Sequence, residues 1–167
     1  PYKVRPASDD CPDRWMTGTP NFEGIAGTRA AIDYLAELGD GATRREKLKS
    51  AFERIVAHER GLSAKLLATL AALPDVRVLG IADPARLDER VPTVSLVHAR
   101  HSAKAVAEHL ASRGVFVWHG NFYALALSES FGLEPQGMVR IGLLHYNTAD
   151  EIDRLIDGLV ELESSER

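Results

Sequence analysis

Residues 93–118 read TVSLVHARHSAKAVAEHLASRGVFVW, and this stretch decides the fold. Thr93–His98 is rich in β-branched and apolar residues behind Pro92, which predicts a strand. Ser102–Arg113 places Ala103, Val106 and Leu110 on one helical face and stops at Gly114. Val115–Trp118 then reads as a second, short strand. Strand, helix and strand in so few residues predict an α/β arrangement.

The flanks extend it. Val76–Ile81, opened by Asp75, and Met138–Leu143 are two further strands. A last helix opens with Thr148 and Glu151, a capping box, and turns Ile152, Leu155, Ile156 and Leu159 inward. Upstream, Thr43 and Glu46 form another capping box, ahead of a stripe from Leu48, Phe52, Ile55 and Val56 to Leu70 that ends before Pro74. Gly61 marks a place where that long helix can kink. An alanine-rich helix over 22–38, capped by Asn21 and stopped by Gly39 and Gly41, carries Ile25, Ile32 and Leu35 near helical spacing. The first twenty residues hold Pro1, Pro6, Pro12 and Pro20 without a period and read as irregular. The expected architecture is an α+β small domain over 41–167, a small mixed or antiparallel sheet with helices on one face. Residues 1–40 form a less self-contained leading segment and helix.

Composition narrows the function. A chain of 167 residues with 45% apolar and 26% charged side chains is globular rather than disordered. Its net charge of −4 lacks the clustered positive face that nucleic acid requires. No apolar run is long enough to span a bilayer. One cysteine, Cys11, leaves no intrachain disulfide, so a cytoplasmic location is expected. The chain begins at Pro1, which suggests an interior start. The six histidines show no metal-ligand spacing, and no metal is expected. Phosphate-loop, dinucleotide and nucleophile-elbow motifs are absent from the sequence.

Three segments are poorly explained by packing. Trp15-Met16-Thr17-Gly18-Thr19-Pro20-Asn21 sits at a helix entrance, where free N–H groups and hydroxyls suit an anion; it also reads as a proline-stopped loop. Val117–Ala124 leaves a strand and offers His119, Asn121 and Tyr123 to a ligand, or forms an ordinary surface turn. Arg140 lies in a strand with Val139 and Ile141 pointing the other way, so its guanidinium suits a carboxylate held by two parallel hydrogen bonds. A surface ion pair is the plainer alternative.

In order and spacing these segments resemble the C-terminal part of class V aminotransferase and cysteine desulfurase-like enzymes. Thr17–Gly24 and Val139–Thr148 carry most of the match, which runs from about Trp15 to Leu162 and takes in Gly80–Pro84 and the 118–124 loop. The resemblance implies the C-terminal domain of the type I pyridoxal-phosphate fold, a homodimer with active sites at its interface, and an amino-acid substrate. It implies that Gly18 and Thr19 meet the cofactor phosphate of the partner subunit and that Arg140 holds the substrate α-carboxylate. It places His119, Asn121 and Tyr123 along the substrate entrance.

Two departures stand out. Tyr123 occupies the position of the sulfur-accepting cysteine, and a phenol cannot carry a persulfide. Met16 replaces a glutamate common in relatives. The family's Schiff-base lysine precedes the matched stretch, so no catalytic residue is expected within this chain. By itself the chain should be inactive and should hold no pyridoxal phosphate. The competing expectation is a stand-alone, non-catalytic α+β ligand-binding or regulatory module.

Overall fold

The computed structural model describes Lys3 and residues 5–164. The chain divides into two compact units, Pro1–Glu53 and Arg54–Arg167.

In the first unit, helix α1 (Phe22–Glu37) starts at Asn21, whose side chain accepts the Gly24 N–H at 2.9 Å. Its expected stripe is not a buried one: Ile25 is 56% exposed, Ile32 is exposed, and only Ala36 of the helix is buried. A short 3-10 turn, Asp13–Trp15, lies in the stretch read as irregular. Helix α2 (Arg44–Leu70) begins in this unit behind the Thr43–Glu46 capping box. The Glu46 N–H donates to Thr43 Oγ1 at 3.2 Å, and Glu46 Oε2 accepts the N–H groups of Ala42 and Thr43 at 2.9 Å each. Those backbone bonds hold the Glu46 carboxyl below its usual range. A side chain at Gly39 would run into the Lys47 carbonyl at 2.1 Å, which is why this turn needs glycine.

The second unit contains the sheet. Four strands, β1 (Val76–Leu79), β2 (Thr93–His98), β3 (Trp118–Gly120) and β4 (Met138–Gly142), pair in the order β1-β2-β4-β3, every neighbour antiparallel. Alternation sends Val94, Leu96, Val139 and Ile141 to one face, where each is at most 3% exposed. That face packs against Leu62–Leu70 of α2, against α3 (Ala103–Ala111) and against α5 (Ala149–Ser164). The sheet is therefore covered by helices on one face, as the periodicity predicts. Burying this many Leu, Ile and Val side chains, at about 1.5–3 kcal/mol each, makes this face the main source of cohesion. The Thr148–Glu151 box opens α5 as expected, the Thr148 N–H donating to Glu151 at 2.8 Å. Ser102 caps α3 through the Ala105 N–H.

Three expectations need correcting. The strand expected over 115–118 is Trp118–Gly120 instead. Val115 folds back to the Leu110 carbonyl as α3 ends, so ladder pairing begins only at Trp118. Phe52 and Val56 of the α2 stripe are about half exposed, whereas Leu62, Leu66, Leu67 and Leu70 are buried. The loop before β4 contains a helix, α4 (Leu125–Ser130), and Pro84–Glu89 forms a 3-10 segment.

Candidate functional site

The face of the sheet opposite the core helices positions the candidate site. Antiparallel register puts Arg140 opposite Ser95 on one side and opposite Trp118 on the other. Directly opposed residues share a face, so Ser95, Arg140 and Trp118 form one row across three strands. Trp118 is 68% exposed. The next register pair places His119 opposite buried Val139, so alternation turns His119 to the other face from Arg140. Arg140 and His119 are thus not brought together.

Beyond β3 the chain turns through a constrained loop. Phe122 and Tyr123 both adopt left-handed backbone angles, φ 55° and 61°, which cost roughly 1–2 kcal/mol apiece for side chains of this kind. Asn121 holds the turn. Its Oδ1 accepts the Tyr123 N–H at 3.1 Å, its carbonyl accepts the Ala124 N–H at 2.8 Å, and its Nδ2 donates to Glu134 at 3.2 Å. Glu134 also accepts the hydroxyl of fully buried Ser128, which ties α4 to the same carboxylate. The Asn121 amide is thereby committed to shaping the loop.

The result of this shape is a stacked cation. The Phe122 ring lies under the Arg140 guanidinium with 4.3 Å from Cζ to ring centroid. Such a contact contributes about 0.5–1 kcal/mol at an exposed site. Among the described residues Arg140 makes no hydrogen bond or ion pair, so all its N–H donors remain available. Tyr123, next in sequence, is fully exposed. Phe122 was not legible as a site residue in the sequence, because its contact depends on the left-handed turn that puts its ring beneath β4.

Gly18 and Thr19 belong to the Pro1–Glu53 unit, and Arg140, His119, Asn121 and Tyr123 to the Arg54–Arg167 unit. Neither crowding nor a positive φ requires glycine at position 18, where a side chain would meet nothing within 4 Å. Thr17 and Thr19 are exposed, and their hydroxyls have no partner among the described residues.

The donor set suits anions. A free guanidinium fits a carboxylate, and hydroxyls beside glycine fit a phosphate. The lysines do not fit a covalent anchor: Lys3 pairs with Asp9, Lys65 with Asp153 and Lys104 with Glu108, while Lys47 and Lys49 are exposed on α2. A cavity of about 230 Å³ lies elsewhere, on the helix-covered face, lined by residues including Leu66, Val115, Val117, Ile141, Leu143 and Leu155. Ile141 faces it and Arg140 does not, so it is no part of the row described above.

Comparison with known proteins gives a consistent outcome. The family model described as aminotransferase class-V matches residues 4–155. A cysteine desulfurase of Cronobacter sakazakii is 34% identical over 151 residues, covering 90% of this chain and 32% of the relative. One from an Enterobacter species is 33% identical over 148 residues, covering 89% and 32%. Among solved structures, the apo cysteine desulfurase of Thermococcus onnurineus NA1 superposes with a TM-score of 0.75 at 26% identity, covering 90% of this chain and 33% of that one. An Escherichia coli cysteine desulfurase shares the fold, with a TM-score of 0.67 at 22% identity, covering 88% and 32%. The chain thus spans about a third of the length of the curated relatives it matches.

Proposed function

The chain belongs to the class V aminotransferase family, and from that premise we propose that it is the C-terminal, carboxylate-binding part of a pyridoxal-phosphate enzyme acting on an amino acid. Residues 41–167 act as the small domain, and residues 1–40 link it to the remaining two thirds of the enzyme. One observation carries this reading: Arg140 stands on the face of the sheet opposite the core helices, stacked on Phe122 and without a carboxylate partner among the described residues. Arg86, Arg100 and Arg113 are each tied to a neighbouring acid, whereas among the described residues the donors of Arg140 are free for a ligand carboxylate.

Arg140 binds the substrate α-carboxylate through two parallel N–H···O bonds, and the Phe122 ring fixes the plane of the guanidinium. Gly18 and Thr19 receive the cofactor phosphate of the partner subunit in a homodimer. Asn121 holds the entrance loop and Tyr123 lies at its rim, while His119 stays on the other face of the sheet. Pyridoxal phosphate, when bound, supplies an electron sink for the amino acid's reacting carbon. No lysine of this chain offers it covalent anchorage, so the 167 residues are inactive by themselves. The loop carries tyrosine where a sulfur acceptor would need a thiol, so it takes up no persulfide. The reducing cytoplasm suits this reading, and no described helix is long and apolar enough to cross a membrane.

Steady-state kinetics of the full-length enzyme test the proposal. Loss of the bidentate contact in Arg140→Ala costs about 2 kcal/mol, which is about a 30-fold fall in kcat/KM for amino-acid substrates. An unchanged kcat/KM rejects the role of Arg140.

A further inference from the structure

A second cluster of polar groups lies at the other edge of the sheet, where β2 ends. His98, the last residue of β2, is 8% exposed. Its Nδ1 accepts the Arg100 N–H at 3.2 Å, and its Nε2 is buried with no partner among the described residues. The neighbouring His101 ring, 4.8 Å away between centroids, also buries an unpartnered Nε2. One ring nitrogen of His98 and one carboxylate oxygen each of Asp75 and Glu163 lie within 4.8 Å of one another.

These groups come from three elements: the turn before β1, the end of β2 and the last turn of α5. A buried imidazole nitrogen without a partner is costly and uncommon. One such nitrogen beside two carboxylates makes a donor set of the kind that first-row divalent ions take. The local charge also favours a cation. Asp75 and Glu163 bring two negative charges and Arg100 returns one, donating from Nε to Asp75 Oδ2 at 2.7 Å and from Nη2 to the Glu163 carbonyl at 2.8 Å. Asp75 keeps its second oxygen. Glu163 gives one oxygen to the Asp75 N–H at 3.3 Å and keeps the other. Burial first, and His101 second, hold the His98 pKa below its ordinary value, against the opposing pull of Asp75 and Glu163. A neutral ring is the form that ligates metal.

We propose that Asp75, His98 and Glu163 bind a divalent transition-metal ion such as zinc, which fastens the end of α5 to the sheet, with the His101 ring packed beside His98. Ligand atoms about 2.1 Å from a tetrahedral metal lie about 3.4 Å apart, so the cluster draws in by up to about 1.4 Å on binding. Ligation through Nε2 moves the ring proton of His98 to Nδ1, and the long contact with the Arg100 amide is given up. The site was invisible to motif spacing because its ligands are 23 and 65 residues apart, from 75 to 98 and from 98 to 163.

Zinc titration of the EDTA-treated 167-residue chain against a chromophoric chelator tests the site. One equivalent is expected per chain, with affinity falling at least ~10-fold in His98→Gln and in Glu163→Gln but not in His145→Gln. The wild-type chain provides a readout that needs no substitution. In NMR spectra of the six imidazole rings, one equivalent of zinc should move the His98 and His101 signals and leave the other four in place. Absence of saturable binding, binding that survives both ligand substitutions, or shifts confined to His58, His109, His119 or His145 each overturn the proposal.

Discussion

Replacing Gly137 with alanine probes the scaffold under the Arg140 row. Gly137 has a φ of +68°, and an added Cβ would lie 2.3 Å from the Gly120 carbonyl carbon, 2.5 Å from its oxygen and 2.6 Å from its Cα. All three are backbone atoms, so no rotamer change relieves the overlap. Gly120 is the β3 residue opposite Met138, and pushing it away pulls β3, with Trp118, from β4. The left-handed angle costs an alanine about 1–2 kcal/mol, and a forced backbone shift adds about 1–3 kcal/mol. The expected total is about 3 kcal/mol. Gly132→Ala is the internal control, because its φ of +66° is nearly the same and its Cβ would meet nothing within 4 Å. That variant should lose only about 1 kcal/mol. Urea unfolding followed by far-UV circular dichroism, with equal m-values, measures both. A Gly137→Ala loss within about 0.5 kcal/mol of the Gly132→Ala loss would refute the reasoning, since the overlap with Gly120 would then contribute nothing.

Two further predictions concern chemistry and pH. With cysteine and dithiothreitol, the full-length enzyme should release no sulfide above background, because Tyr123 cannot accept sulfur; robust release measured by methylene blue formation contradicts this. His98 has a folded pKa below its unfolded value, so its contribution to stability is present above about pH 6.5 and is lost as pH falls from there through the folded pKa. The Glu46 and Glu151 carboxyls, also lowered, lose theirs only below about pH 4.5, which leaves the window from about pH 5 to 6.5 to the histidine. Urea midpoints of metal-free protein should fall across that window in wild type and fall less in His98→Gln, where Asp75, Glu163, Arg100 and His101 still surround the position. Parallel slopes for the two proteins would remove His98 as the cause.

Local chemistry was the most legible part of this chain. Asn21, Thr43, Ser102 and Thr148 start helices where a short polar side chain can take a free N–H, and a cap depends only on residues three or four apart. β2 was also readable end to end, since alternation of buried and open positions is a property of neighbours. The face assignment of Arg140 follows from the same period. What was not legible depends on distant partners. β3 begins where β4 can pair with it, not where the β-branched residues begin, so Val115 and Val117 mislead. The turn that slides Phe122 under Arg140 needs Asn121, Ser128 and Glu134 together. The exposed apolar residues of α1 are likewise unreadable as a core pattern, because amphipathic spacing does not say what covers a face.

The most direct test of the Arg140 assignment compares an amino-acid substrate with the amine that lacks only its carboxylate. Both dissociation constants are measured in the full-length enzyme, wild type and Arg140→Ala. Wild type should favour the amino acid by about 30-fold, and the variant should bind the two compounds almost equally, because the partner of the missing group is gone. A preference that persists undiminished in Arg140→Ala would place carboxylate recognition on another residue.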